Sequence, residues 1–466
     1  MTKALGTFRA FYLVALCCVG SFLFAYDTGI VGGILTFPSF QRDFRYTTKD
    51  KANVGSLSTS LLQAGASAIF NVGAVVQTIN THHLAGFYIA RFVSGVGVGM
   101  ATVIVPMYSA EMAPKNIRGM LGSIFQFFFT LGVMTSYWVD YAASIHIPDD
   151  SSAQWQLPVG LQLVPGTILG LGMLFTKEST RWLAKTNRRE DALQSLIWVR
   201  GGDSPEVQEE FGEIVRSIDE ENRIKAGLTW KELIEPVNRY RLGLIIALQI
   251  DAPQIFGLVG AGQDKLLLTG FFGLVKVVAC LFFLLFLVER IGRRGSLLAG
   301  AGLMGTYMLI VAILTVKFPP NPDAGLTPPS IASLTMIYLE AMSYNISWGP
   351  VPWVYTGEIF SSRTREAGIA ISTSTQWLFN FVFSQATPHA VTNLGWRTFL
   401  MFSIFNFALV IFVWFFIMET KGKSLEEMED LFARRAGVTI ARPIEDGVAS
   451  EKEMERQIEM QTAKSN

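Results

Sequence analysis

Charge is what this chain has little of. Asp, Glu, Lys and Arg make up 16% of its 466 residues, and the two signs cancel at 38 each. A formal net charge of zero gives a polyanion nothing to bind, which sets nucleic acid aside as a partner. Cysteine is scarcer still: Cys17, Cys18 and Cys280 all lie inside apolar runs, where they read as reduced packing residues and exclude a disulfide framework. Only His82 and His83 of the four histidines are adjacent, so no metal-ligand set forms. Phosphate loops, nucleophile–base arrangements and ligand spacings are absent as well, so nothing points to an enzyme or calls for a cofactor.

What the chain has is apolar length. Half of it is hydrophobic, and a spanning helix needs about 20 mostly apolar residues. Eleven stretches reach that length, from Phe11 to Leu35 through to Trp396 to Met418. The first is too long, and followed by too many others, to be a cleaved signal peptide. With no period-two alternation, the expected fold is an all-α polytopic membrane protein embedded in a lipid bilayer.

Lys and Arg in short loops mark the cytoplasmic side. Read back from the C-terminus, basic loops alternate with poorly charged ones over the last nine spans, which places the C-terminus and the string VERIGRRGS, Val288 to Ser296, in the cytoplasm. The segment Lys177 to Arg241 carries 25 charged residues and reads as a solvated helical linker, broken by Gly201, Gly202 and Pro205 into two short pieces. It divides the chain into a transmembrane bundle over 1–176, a linker over 177–241, a second bundle over 242–418 and a cytoplasmic tail over 419–466.

The bundles share a pattern. Glu111 closes the string YSAE and Arg118 follows it; Glu358 closes YTGE and Arg365 follows at the same interval. FTKES, Phe175 to Ser179, and FIMET, Phe416 to Thr420, recur at nearly the same offset. Two coincidences at one offset point to duplication of a whole bundle, with a substrate site between the halves.

Several strings in order carry a resemblance. FAYDTG at Phe24 to Gly29, Arg91 with Gly95, Gly97 and Gly99, PMYSAEMAPKNIRG at Pro106 to Gly119, KESTRWL, ERIGRR, GPVPW at Gly349 to Trp353, and ETKGKSLEE at Glu419 to Glu427 are together similar to sugar porters of the major facilitator superfamily, of fungal type. The resemblance runs from about Phe11 to Phe432. It implies twelve helices in two pseudo-repeated six-helix bundles, both termini cytoplasmic, and alternating access to a central site. It further implies a monomeric, multi-pass plasma-membrane protein that takes up a hexose-like monosaccharide, with the proton as coupling ion.

The same resemblance assigns residues. Proton-coupled members pair an acid in the first helix with an arginine in the fourth, here Asp27 and Arg91. An Asp beside Arg stays ionised, and if a conformational change parts them it is placed to take a proton. For a hydroxyl-rich sugar, Gln126, Asn345, Trp353, Gln376 and Asn380 offer amides and an aromatic plate. Lys276 and Glu340 are further intramembrane charges, either pore-lining or mutually paired. A cytoplasmic gate is expected from Glu111 with Arg118, Glu178 with Arg181, Glu289 with Arg293 and Arg294, and Glu358 with Arg365.

The pattern also fails in two places. A basic loop like ERIGRR belongs between the second and third helices, but Val54 to Ile79 is too short for two spans and reads as a junction near Ala68 and Ile69. The seventh helix's amide motif is missing from LIIALQIDAPQIFGLVG, around 250–252, where Gln249 reads as a remnant. Eleven spans with the C-terminus inside would put the N-terminus outside, so either one helix pair is fused or the first span and its neighbours are inverted. The competing functions are therefore a non-transporting sugar sensor, against which stand the 48 residues after Met418, a quinate or polyol transporter, which for an acidic ring would need an extra cation in the cavity, and an inactive shortened product.

Overall fold

The computed structural model describes residues 2–44, 83–112, 115–225, 230–249, 265–287, 292–319, 327–360, 364–421, 431–432 and 435. Both sequence discontinuities, around 68–69 and 250–252, lie outside the described residues, as do Glu289 and the side chain of Arg118. Every regular element among the described residues is helical.

The first half contains α1 (Thr2–Ile34), the short α2 (Pro38–Asp43), α3 (Leu84–Met112), α4 (Lys115–His146), α5 (Ala153–Gly160) and α6 (Leu163–Leu174). The last two form one apolar crossing with a turn between them. Pro165 lacks the N–H that would continue the helix across that turn. Helix α1 lies along α4 through a row of small residues. Ala25, Gly29 and Gly33 face Gly132, Ser136 and Asp140, so closely that a Cβ on Gly29 would stand 2.0 Å from Ser136 Oγ. A four-residue repeat of small side chains is how membrane helices approach without a hydrophobic driving force.

The second half contains α10 (Pro236–Leu248), α11 (Lys265–Phe282), α12 (Arg293–Lys317), α13 (Pro328–Ile346), α14 (Val351–Ile359), α15 (Arg365–Leu394) and α16 (Trp396–Phe416). Helices α13 and α14 are one span broken over Ser347 to Pro350, where Trp348 Nε1 donates to Leu297 O at 3.0 Å and anchors the break on α12. The halves meet where α11 packs on α4: Gly270 lies on the Trp138 indole and Gly273 on Met134.

Between the halves the linker forms three helices where two were expected, α7 (Thr180–Lys185), α8 (Arg189–Arg200) and α9 (Pro205–Lys225), and then a 3-10 turn (Trp230–Ile234). The extra helix exists because Ser179 caps it, accepting from Trp182 N at 3.2 Å. Asn187, at φ 62, ends it. Gly201 and Pro205 break the segment as expected, Gly201 with φ 85 at the end of α8.

The linker settles the orientation of the first span. Arg9 donates to Trp198 O at 2.7 Å and lies over the Trp198 ring, and Gly6 abuts Arg200 O. The start of α1 is thus on the linker's side, and the first span is not inverted relative to the linker. Phe40 and Phe44 pack on Phe87 at 5.3 and 5.4 Å, so the end of α1 and the start of α3 lie together, at the end of the bundle away from the linker.

Candidate transport site

Asp27 lies in α1 and Arg91 in α3, 2% and 1% exposed. Arg91 Nη1 donates to Asp27 Oδ1 at 2.9 Å, Nη2 reaches Asp27 O at 3.4 Å, and Ser94 Oγ stands 3.5 Å from Asp27 Oδ2. Buried Gln162 of the α5–α6 turn lies beside them. Arg91 Nε has no hydrogen-bond partner among the described residues. The pair is therefore buried and short, with the Asp27 carboxylate accepting from Arg91, Ser94 and Gln162 while Arg91 Nε is left over. Removing one partner of such a pair costs about 3–5 kcal/mol, because the other charge is stranded.

The amide and aromatic candidates come from both halves. Gln126 is half-buried on α4, and Gln376 and Asn380 are half-buried on α15. Trp353 of α14 is 40% exposed. Asn345 is buried and spends its amide on Ala341 O of its own helix at 2.8 Å. Gln249, beyond the end of α10, is likewise engaged: Nε2 donates to Ser372 Oγ at 2.8 Å.

A residue that sequence reasoning passed over stands beside these. The Trp377 ring meets Phe24 of α1 edge-on at 5.7 Å, joining the two halves next to the Asp27 segment. Trp377 Nε1 and Gln376 Oε1 are both buried without a hydrogen-bond partner among the described residues. A buried indole donor and a buried amide acceptor that are left over are each groups a hydroxylated ligand can satisfy. The only sequence signal was adjacency to Gln376. Lys276 of α11 lies over the Phe272 ring and within electrostatic reach of buried Glu340 on α13, so the two charges compensate one another.

The linker's side of the bundle pairs differently from the expected gate. Glu358 takes Arg293 Nη2 at 2.8 Å and Thr420 Oγ1 at 2.5 Å. Arg365 turns back to Phe360 O at 3.4 Å, because α15 begins at that residue and its side chain follows the preceding turn. Arg181 bridges to Glu221 at 3.5 Å and not to Glu178, whose carbonyl accepts from Ser195. Arg294 donates to Trp414 O and stacks on that indole. In the first half Glu111 accepts from the Ser179 hydroxyl. Ser179 and Thr420 end the two repeated strings, so the duplication read from sequence reappears as one contact made twice.

Glu419 was seen only as part of a motif. Its carboxylate accepts from Arg293 N at 2.8 Å, Arg294 N at 3.1 Å, Thr420 N at 3.1 Å and Lys421 N at 3.1 Å. It thus caps the first turn of α12. Partial burial pushes its carboxyl up, but those four N–H groups outweigh that and hold it below the usual glutamate range. Gly292 is required beside it, since a Cβ there would stand 2.3 Å from Glu419 Oε2. The linker reaches the second half through Lys185 Nζ to Glu366 at 3.2 Å, an exposed pair worth under about 1 kcal/mol.

A family model described as "Sugar (and other) transporter" matches residues 13–76 and 63–432, two matches that overlap at 63–76. The probable quinate permease of Aspergillus clavatus is 31% identical over 500 residues, covering 95% of this chain and 92% of that protein. The quinate permease of Emericella nidulans is 31% identical over 476 residues, covering 92% and 89%. Of solved structures, the proton:xylose symporter XylE bound to 6-bromo-6-deoxy-D-glucose aligns with a TM-score of 0.70 at 23% identity, covering 92% of this chain and all of that one. The inward open form of the xylose transporter XylE from E. coli aligns at 0.72 and 23%, covering 91% and 99%. At that identity the likeness is one of fold.

Proposed function

The chain belongs to the sugar (and other) transporter family, and from that premise we propose that it is a plasma-membrane symporter taking up a hexose-like monosaccharide with protons by alternating access. The observation that carries the reading is the buried Asp27–Arg91 pair, short at 2.9 Å and tied to two different helices. When the helices shift, Asp27 loses its cation in a water-poor setting and takes a proton. The released arginine is then free until the proton leaves on the other side. The halves 1–176 and 242–418 rock about the substrate, the linker 177–241 moves with them, and 419–466 stays cytoplasmic. Gln126, Trp353, Gln376 and Asn380 face the sugar with Trp377, and Asn345 supports the broken helix. No cofactor takes part, and one copy suffices. Glu111, Glu358, Arg293 and their hydroxyl partners fasten the cytoplasmic ends.

A neutral ring is favoured because Glu340 offsets Lys276. Quinate remains the second reading, supported by the relatives' names and by that cation's position on α11. Reconstitution in liposomes with an acidic exterior decides both points. Labelled glucose is expected to accumulate above equilibrium and to leak out on addition of a protonophore; uptake that stops at equilibrium would remove the coupling. Lys276→Gln is expected to leave glucose KM within about threefold. If quinate is the solute, the same substitution should raise its KM at least about tenfold, the effect of losing one charge-assisted hydrogen bond.

A further inference from the structure

Asp140 is 1% exposed on α4, and neither carboxylate oxygen has a hydrogen-bond partner among the described residues. It points at the backbone of α1: a Cβ on Gly33 would stand 2.0 Å from Oδ2. Around the crossing lie Ile30, Val31, Ile34, Ala143 and Trp155, all buried and apolar. The titratable groups that reach it are Tyr26 of α1 and Tyr137 of its own helix, and Tyr26 spends its hydroxyl proton on Pro158 O at 3.0 Å. Asp27, next to Tyr26 on α1, is occupied by Arg91 of α3, and no cation among the described residues reaches Asp140. An ionised carboxylate without donor or counter-ion is far too costly in such a place.

We propose that Asp140 is a second proton-binding carboxyl of the transport cycle, neutral while the α1–α4 crossing is closed and deprotonated when that crossing opens to the outer solution. It deepens the symport reading and rests on it. The outer position follows from the chain: α1 starts at the cytoplasmic linker, and Gly33 lies at its far end. Closure of the small-residue row requires the acid to carry its proton. Opening lets water ionise the O–H, and the proton passes to the external solution. The crossing thereby senses external pH separately from Asp27, which is held by an ion pair.

Infrared spectra of the purified full-length protein test this directly. A C=O band of a neutral carboxylic acid is expected at neutral pH in the wild type and in Asp27→Asn, and its loss is expected in Asp140→Asn. The same band present in Asp140→Asn, or missing from the wild type, would overturn the proposal. Solute counterflow with labelled glucose or quinate, which needs no proton gradient, gives the second readout. The wild-type rate is expected to fall at least about threefold as external pH drops and the crossing closes, and Asp140→Asn is expected to be pH-independent. A pH-dependent Asp140→Asn counterflow would also overturn it. Failure of symport itself shows elsewhere, as absence of gradient-driven accumulation in the wild type with counterflow intact.

Discussion

Asp27→Asn is expected to abolish uphill solute accumulation and solute-induced proton entry while leaving counterflow measurable. The substitution keeps the shape of the side chain and removes the charge that Arg91 Nη1 contacts at 2.9 Å. Arg91 then remains buried with no counter-ion, and its Nε already lacks a partner among the described residues. Stability should fall by about 3–5 kcal/mol, the range for breaking a buried pair by removing one member. The double variant Asp27→Asn with Arg91→Gln separates the two effects. It is expected to regain most of the thermal stability, because no lone charge is left, and none of the coupling. Accumulation surviving in Asp27→Asn would refute its coupling role, whereas a double variant as unstable as the single one would show that packing, not charge, sets the energy.

Glu419→Ala is expected to loosen the start of α12 in the second half. Four backbone N–H groups converge on that carboxylate, two of them in the first turn of α12. Losing a helix N-cap costs about 0.5–2 kcal/mol, and the favourable position of a negative charge at a helix N-terminus adds up to about 1 kcal/mol at a partly exposed site. Hydrogen exchange at residues 293–296 should quicken accordingly, and Gly292→Ala should reproduce part of the effect by pushing the carboxylate off the turn. The pH dependence has a definite sign. The folded carboxyl lies below its unfolded value, so its contribution is complete above the unfolded value and is lost as pH falls through the folded one. A stability profile on the acid side that is unchanged in Glu419→Gln would contradict this.

Much of the architecture was readable in advance, for physical reasons that differ from residue to residue. Apolar length and charge density are properties of the chain alone, so the helical class and the charged linker stood out without any contact being known. Asp27 and Arg91 stood out because a charge in an apolar run demands a reason. The gate was harder. Glu358 and Arg365 are close in sequence, yet the guanidinium that reaches Glu358 comes from Arg293, at the start of α12 and far away in the chain. Ser179 and Thr420 were invisible as partners because a hydroxyl's role depends on what tertiary packing puts beside it. Asp140 was hidden by its place near the end of a span, where an acid usually meets solvent; only the approach of Gly33 removes that solvent.

The paired contacts are alike in kind: Glu358 takes the Thr420 hydroxyl as well as Arg293, and Glu111 takes the Ser179 hydroxyl. Each ties the end of one span to the segment that follows a later one, so the same device closes both halves at the same end.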